Sequence, residues 1–463
     1  MSYFSIGVSA LNTAQLGLST TAHNISNVNT EGYRRQTTVQ ATNIPVGTGS
    51  GFVGQGVNVD TVKRIYSQFL ENQVLQSQTR TSSFNSYLSS IEQLNNVVAD
   101  PNAGLSPALQ EFFQAVNDVA NNPQSVPSRQ TLLSSANAMV SRFHTLDVRF
   151  TEIQDGVNSL ISQSVSEINS FAQQISKLNE QIILQSGNFD QPANDLLDQR
   201  DQLLLKLNEL VRATAIPQSN GAINVFIGNG QPLVMDQSAF SLTVVASPEN
   251  PQRFEVAYRS SSNDQILSSG ALTGGTLGGV LEFRSETLDQ VANAVGRIAL
   301  ALASTFNEQH RLGQDLNGDL GQDFFTLPLP TVTSSSNNTG PGELTGTISD
   351  VNLLTTSDYR IEFDGTNYLV TDLVSKTTST VAPAALASAI PGVTLSMSGT
   401  PDTGDVFTVQ PTRYAARDLD LAEVGADGLA AEHPGEGAGA RLLWDRKSRF
   451  VRDPFEAAGN RSA

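Results

Sequence analysis

The 463-residue chain contains no cysteine. That excludes disulfides, thiolate metal sites and a cysteine nucleophile together. Tryptophan occurs once and tyrosine 8 times, few for a surface that would stack sugar rings. The four histidines are His23, His144, His310 and His433, and none stands in H-E-x-x-H or another paired ligand spacing. Charged residues are 16% of the chain, and 45 acidic against 27 basic side chains give a net charge of -18. A chain so short of basic surface is a poor match for nucleic acid. No apolar run approaches the ~20 residues of a membrane-spanning helix. The N-terminus lacks the basic and apolar regions of a Sec signal peptide. A G-x-S-x-G elbow and a P-loop are also missing. The sequence therefore presents no catalytic constellation, and no cofactor or metal is expected.

What is present begins at residue 4. In FSIGVSALNTAQLGLSTTAHNISNVNTEGY the apolar residues Phe4, Val8, Leu11, Leu18, Ala22 and Ile25 step alternately by four and three, with Gln15 the polar exception. That is the heptad spacing of a helix that packs along another helix. The remaining face is Ser, Asn, Thr and Gln, with Gly7 and Gly17 inside the run. Such a helix barely forms alone in water, so it is expected to be disordered until a partner covers the seam. It ends in an Asn-rich string, Asn24 to Arg34, whose Asn and Gly residues favour turns.

A seam helix followed by NISNVNTEGYRRQ resembles the N-terminal signature of bacterial flagellar rod, hook and hook-associated proteins. GQGVNVDTVKRIYSQFL resembles the stretch that follows it in hook-family proteins, through Gly54, Gly56, Val57, Val62, Arg64, Tyr66, Phe69 and Leu70. The resemblance implies an assembly interface formed by Val8, Leu11, Leu18, Ala22 and Ile25 with Asn24, Asn27, Thr30, Gly32 and Tyr33. It implies a helix on the inner wall of a tube, paired with a helix from the chain's own C-terminus. It also implies export without a cleaved signal peptide, through the flagellar type III channel.

Gly49, Gly51 and Gly54 spell G-x-G-x-x-G. The alternation of Val57 and Val59 predicts a strand after it rather than a helix, so the dinucleotide reading fails on context. Helical spacing is expected from Val62 to Val98, from Pro107 to about Asn121, and from Pro127 to about Ser186. The long seam runs Phe143, Leu146, Phe150, Ile153, Val157, Leu160, Ile168, Phe171, Ile175, Leu178 and Ile182, with one slip of register. At 1.5 Å per residue that helix spans roughly 80 Å, which predicts a rod.

A further helix is expected from Asn194 to about Arg212. Asp195, Asp198 and Asp201 stand three apart on it beside Arg200. With no accompanying ligand set they read as a solvated helix face rather than a cation or acid/base site. Strands follow to about Ser269, including a hairpin at Gly228-Asn229-Gly230, and helical spacing resumes at Gly279. Asp315, Asn317, Asp319 and Asp323 have the wrong spacing for an EF-hand loop. Residues 327–345 read as a linker, followed by strands to Thr412. NDLLDQRDQLLLKLNELV, INVFIGNGQPLV, FNEQHRLGQDLNGDLGQDFF and GTPDTGDVFTVQPT each resemble hook–filament junction members of the same family.

The expected architecture is α+β and multidomain. An elongated helical rod carries β-rich insertions and a partner-dependent N-terminal coiled-coil helix. The segments are 1–35, inner-core helix and signature; 36–212, first part of the rod; 213–272, a β-rich domain; 273–326, the returning helix; 327–412, linker and second β-rich domain; and 413–463, an atypical disordered tail. The family would continue past residue 420 with a complementary heptad helix. The composition break there suggests a frameshift or truncation. Implied partners are hook protein, a second junction protein, further copies of the chain in a ring, and an export chaperone, whose C-terminal site the altered tail calls into question. Nucleic acid and membrane are not expected. The rival classes are a secreted adhesin binding glycans, which needs exposed aromatics in the β domains, and a wall hydrolase, which needs an acid/base pair there.

Overall fold

The computed structural model describes residues 3–100, 104–189, 191–259 and 264–431. Seven helices of eight or more residues organise them: α1 Tyr3–Ser26, α2 Gln68–Val98, α3 Leu105–Asn121, α4 Val126–Phe189, α5 Asn194–Leu210, α6 Gly275–Glu282 and α7 Asp289–His310. None is long and apolar enough to cross a membrane. The chain divides into two compact units. The first holds residues 1–88, 158–245 and 254–282, and the second holds 89–157, 246–253 and 283–463. Helix α4, 64 residues long, contributes its residues before Asn158 to the second unit and the rest to the first.

In the first unit, β1 Gln36–Thr42 pairs antiparallel with β4 Val57–Arg64, and β2 Val46–Thr48 pairs with β3 Gly51–Val53 between them. The residues from Val62 to Arg64, expected to open a helix, thus close a strand. The ladder to β1 claims their backbone before helical spacing begins. Strands β5 Ala213–Pro217, β6 Ile223–Ile227, β7 Gln231–Met235 and β8 Ser238–Ala239 form one sheet. Strands β9 Leu242–Ala246, β10 Phe254–Arg259 and β11 Asp264–Ile266 form another.

The buried face of α4 departs from the expected seam in its second half. Leu160 is 41% exposed, while Ile161, Val165, Ile168, Ala172, Ile175 and Ile182 are buried. The slip is taken between Ile153 and Val165 as three successive steps of four, through Val157 and Ile161, which keeps the stripe on one side of a straight helix. Asn179, fully buried in that stripe, donates to the carbonyls of Ile223 and Asp236 and accepts the Ile223 N–H. A buried amide so satisfied fixes helix against sheet without an unpaired polar group.

In the second unit, β13 Thr331–Ser334, β19 Val406–Gln410, β15 Tyr359–Phe363, β16 Tyr368–Asp372 and β17 Thr378–Val381 form a five-stranded sheet in that order. Strands β14 Glu343–Ile348 and β18 Val393–Ser398 pair separately. Leu344, Ile361, Val370, Leu395 and Phe407 fill one core with Leu300 of α7. Two expected boundaries need correction here. The supposed linker 327–345 contains β13 and the start of β14. Residues 413–431, expected to be disordered, are packed: Leu419, Leu429 and Ala430 are at most 2% exposed, and β20 Asp420–Leu421 pairs with β12 Phe325–Thr326. The sequence signal there was loss of heptad spacing, which rules out a seam helix but not a packed strap. The remainder of the expected tail, 432–463, lies outside the described residues.

Helix α7 approaches the second unit's backbone closely at Gly296, where an added Cβ would lie 1.8 Å from the Thr412 carbonyl oxygen. Gly296→Ala should therefore destabilise this unit by about 1–3 kcal/mol, the usual cost of overpacking, despite alanine's better helix propensity. Urea unfolding measures it; a stabilised variant would mean that α7 and the Thr412 backbone yield to the added methyl without cost.

Candidate functional site

Helix α1 is helical in the structure, and the expectation of disorder until a partner arrives gives way to a specific support. Its polar face is the covered one. Ser9, Gly17, Thr20, Asn24 and Asn27 are half-buried and Thr13 is buried, and the helix packs along β1 and β4. Small polar side chains suit this contact because they let a helix lie close to a strand pair. The Val57 N–H donates to Ser9 Oγ at 3.3 Å, and Gly17 faces Thr38. Asn24 acts as a strand edge: its Nδ2 donates to the Gln36 carbonyl at 2.9 Å and its Oδ1 accepts the Gln36 N–H at 2.8 Å.

The apolar face is consequently left open. Phe4 is 80% exposed, Leu11 68%, Leu18 72% and Ile25 68%. Val8 and Ala22 are exposed as well. Leu16 and Val28, which sequence reasoning left out, are also exposed. The usual amphipathic arrangement is thus inverted, with an apolar stripe, interrupted at Gln15, turned outward.

The rest of the predicted set lies in the last turn of α1, at Asn24, and in the turn that follows the helix. Asn27 Nδ2 donates to the His23 carbonyl, Thr30 Oγ1 donates to Asn27 Oδ1, and Tyr33 OH donates to Asn24 Oδ1 at 2.7 Å. Gly32 has φ +79°, and a Cβ there would collide with the Gln202 side chain at 2.2 Å. Only glycine accommodates both. Burial, with Asp195 and Asp198 adding, raises the Tyr33 phenol above its ordinary pKa. Asn24, Asn27, Thr30, Gly32 and Tyr33 are therefore gathered into one knot. Val8, Leu11, Leu18, Ala22 and Ile25 share the opposite side of the helix.

Sequence reasoning missed what holds the knot down. Asp198 and Asp201, read as a solvated face, lie in an ion-pair cluster. The Arg34 N–H donates to Asp198 Oδ2 at 2.9 Å, and its guanidinium pairs with Asp201 and Glu71. Arg64 Nη1 donates to Asp198 and Asp201 at 2.7 Å each. The side chains of Asp198, Asp201, Arg64 and Arg34 are 6%, 12%, 12% and 18% exposed. Tyr66 lies 5.0 Å from the Arg34 guanidinium and 4.9 Å from that of Arg64, both within cation–π range. Burial acts to lower the Arg34 pKa, but Asp201 and Glu71 outweigh it and the net shift is upward. Only Asp195 is mostly exposed, and it accepts from Gln36 Nε2 at 2.7 Å. Arg200 turns the other way, donating to Asn179 and to the Gly221 carbonyl, and burial brings its pKa down to about 10. The available signal was the coincidence of three carboxylates on α5 with Arg34 and Arg64 far upstream, which spacing along one helix does not reveal. Among the described residues, no group of three His, Asp or Glu side chains is placed to hold a metal ion.

The family model for the flagellar hook-associated protein FlgK helical domain matches residues 91–325. That for the flagellar hook-associated protein 1 D2-like domain matches 333–411, and that for the flagella basal body rod protein matches 4–34. Flagellar hook-associated protein 1 of Escherichia coli K12 is 38% identical over 418 residues, covering 89% of this chain and 76% of that protein. Its counterpart in Salmonella typhimurium LT2 is 37% identical over 419 residues, with the same coverage. The solved structure of the flagellar hook junction protein FlgK from Burkholderia pseudomallei is 37% identical, with a TM-score of 0.72 over 78% of this chain and 66% of that one. Long helices, small inserted sheets and a rod-type N-terminal segment define a structural component of the bacterial flagellum. More particularly, the chain belongs to the flagellar hook-associated protein 1 family, and its structural role lies at the hook–filament junction.

Proposed function

We propose that the open stripe of α1 is the seam by which this chain is built into the junction, through axial helix packing at Val8, Leu11, Leu18, Ala22 and Ile25. One observation carries the reading: the polar face is covered by β1 and β4, while Leu11, Leu18 and Ile25 remain at least 68% exposed. A fully buried leucine contributes ~1.5–3 kcal/mol, so several along one stripe supply a strong drive toward a partner helix. The knot from Asn24 to Tyr33 sets the angle at which α1 leaves the ion-pair cluster. Hook protein, a second junction protein and further copies of this chain are the proposed partners, with an export chaperone before assembly. Export proceeds without a cleaved signal peptide, and the role is mechanical rather than catalytic.

The test is complementation of a junction-deficient strain. This chain, with and without the C-terminal quarter of a relative appended, is expected to enter isolated hook–filament junctions more efficiently when the appended part supplies a helix for the seam. Equal entry of both forms would remove the intramolecular mate from the scheme. Absence of both from the junction would remove the seam itself.

A further inference from the structure

The C-terminal strap of the second unit is closed on a histidine. His310, the last residue of α7, is 1% exposed. Its Nδ1 lies 2.6 Å from the Gln322 carbonyl oxygen, and its Nε2 lies 2.8 Å from the Ala430 backbone nitrogen. A carbonyl can only accept and a backbone N–H can only donate. The two contacts therefore fix one neutral tautomer, with the proton on Nδ1 and a lone pair on Nε2.

The surroundings give a second proton no compensation at Nε2. The ring lies against Phe306 and Phe324, at centroid distances of 6.2 and 5.6 Å. Val116, Val119, Leu132 and Leu429 line the small cavity beside it. Two charged groups face it from neighbouring elements. Arg129 of α4 donates to the Leu429 carbonyl and opposes a further positive charge. Asp323, on the loop after α7, favours one, but its carboxylate is held by Arg311 and is 44% exposed. Burial is the largest influence and holds the imidazole below the ordinary histidine range.

We propose that His310 is a proton-operated latch for the strap at residues 426–431. When Nε2 takes up a proton, it turns from an acceptor into a donor aimed at the Ala430 N–H. The contact becomes repulsive, and the strap lifts from Gly313 and Gly321, against which Ala430 packs. The bonds from Ala431 N–H to the Gln314 carbonyl and from Leu316 N–H to the Asp427 carbonyl open with it. The sign follows from linkage. A histidine whose folded pKa lies below 6.5 gives stability that is complete above 6.5 and is lost as pH falls through the folded value. Acid opens the latch, and the apolar residues under Leu429 become accessible.

The test is hydrogen exchange of the full chain, equilibrated between pH 7.5 and 4.5 and pulse-labelled at one fixed pH. Protection of the Ala430 and Ala431 amides is expected to fall at least tenfold on acidification, in step with the NMR titration of the His310 ring, while the α4 amides at 139–150 stay protected. His310→Gln, whose amide offers one acceptor and one donor, should keep the strap protected across the range. Wild-type protection that is flat with pH overturns the proposal, and so does a His310→Gln variant with the wild-type profile. If that variant does not fold, the wild-type titration alone decides: exchange of Ala430 must follow the His310 midpoint, or the latch is elsewhere.

Discussion

Leu11→Asp and Leu18→Asp should each remove the chain from the hook–filament junction while leaving its fold intact. Both halves of that expectation come from exposure. Leu11 and Leu18 are 68% and 72% exposed and lie on the side of α1 away from β1 and β4. Replacing them alters no packed core, so unfolding free energies should stay within about 0.5 kcal/mol of wild type. In the assembled state the same positions would be buried against another helix. The leucine's ~1.5–3 kcal/mol is then lost, and an unpaired carboxylate is desolvated at several kcal/mol more. At about 1.4 kcal/mol per factor of ten, the sum predicts a drop in incorporation of more than two orders of magnitude. Quantitative immunoblotting of purified hook–filament junctions, beside urea unfolding of the secreted chain, measures both. Thr13→Asp is the converse control, because Thr13 is 6% exposed on the covered face and should lose stability as well. Wild-type incorporation of Leu18→Asp would show that the stripe is not the seam.

How much of this was legible in the chain depends on how local the cause is. The heptad of α1 was plain because each of its residues reports the same face. The sequence could not say which face a neighbour would cover, since nothing in the run names β1 and β4. Helices α3, α4 and α5 were readable to within a few residues from spacing, with Pro107 and Pro127 near the starts of the first two. The β-rich segments were readable as strands, but their pairing across tens of residues was not, which is why β13 was mistaken for linker. The largest gap lies in charge. Asp198 and Asp201 are separated from Arg64 by more than 130 residues, so spacing on α5 alone suggested solvated carboxylates. His310 likewise looked featureless, because its partner is the backbone of Ala430, 120 residues on. Local periodicity exposed the seam; the devices that brace it depend on the fold.

The second large effect is expected at that brace. Arg64→Met should destabilise the first unit by about 3–5 kcal/mol, where an exposed ion pair would change stability by at most ~1 kcal/mol. Burial decides between the two scales: Arg64, Asp198 and Asp201 are 12%, 6% and 12% exposed. Wild type sets two guanidinium groups, Arg34 and Arg64, against Asp198, Asp201 and Glu71. Removing Arg64 leaves three carboxylates around one cation, and Tyr66 loses one of its two guanidinium neighbours. The cost is mainly that of stranding charge, so it should shrink when a charge is removed with it. The double variant Arg64→Met, Asp198→Asn is therefore predicted to recover roughly 1–3 kcal/mol of the loss, a coupling of the size expected for neighbours in one network. Because Arg34 leaves the α1 knot directly into this cluster, Arg64→Met should also speed proteolysis near Arg35 at denaturant concentrations too low to unfold the sheet from β5 to β8. A loss below 1 kcal/mol with no recovery in the double variant would mean that the cluster behaves as a surface network, and that the angle of α1 is set by the Asn24 to Tyr33 hydrogen bonds alone.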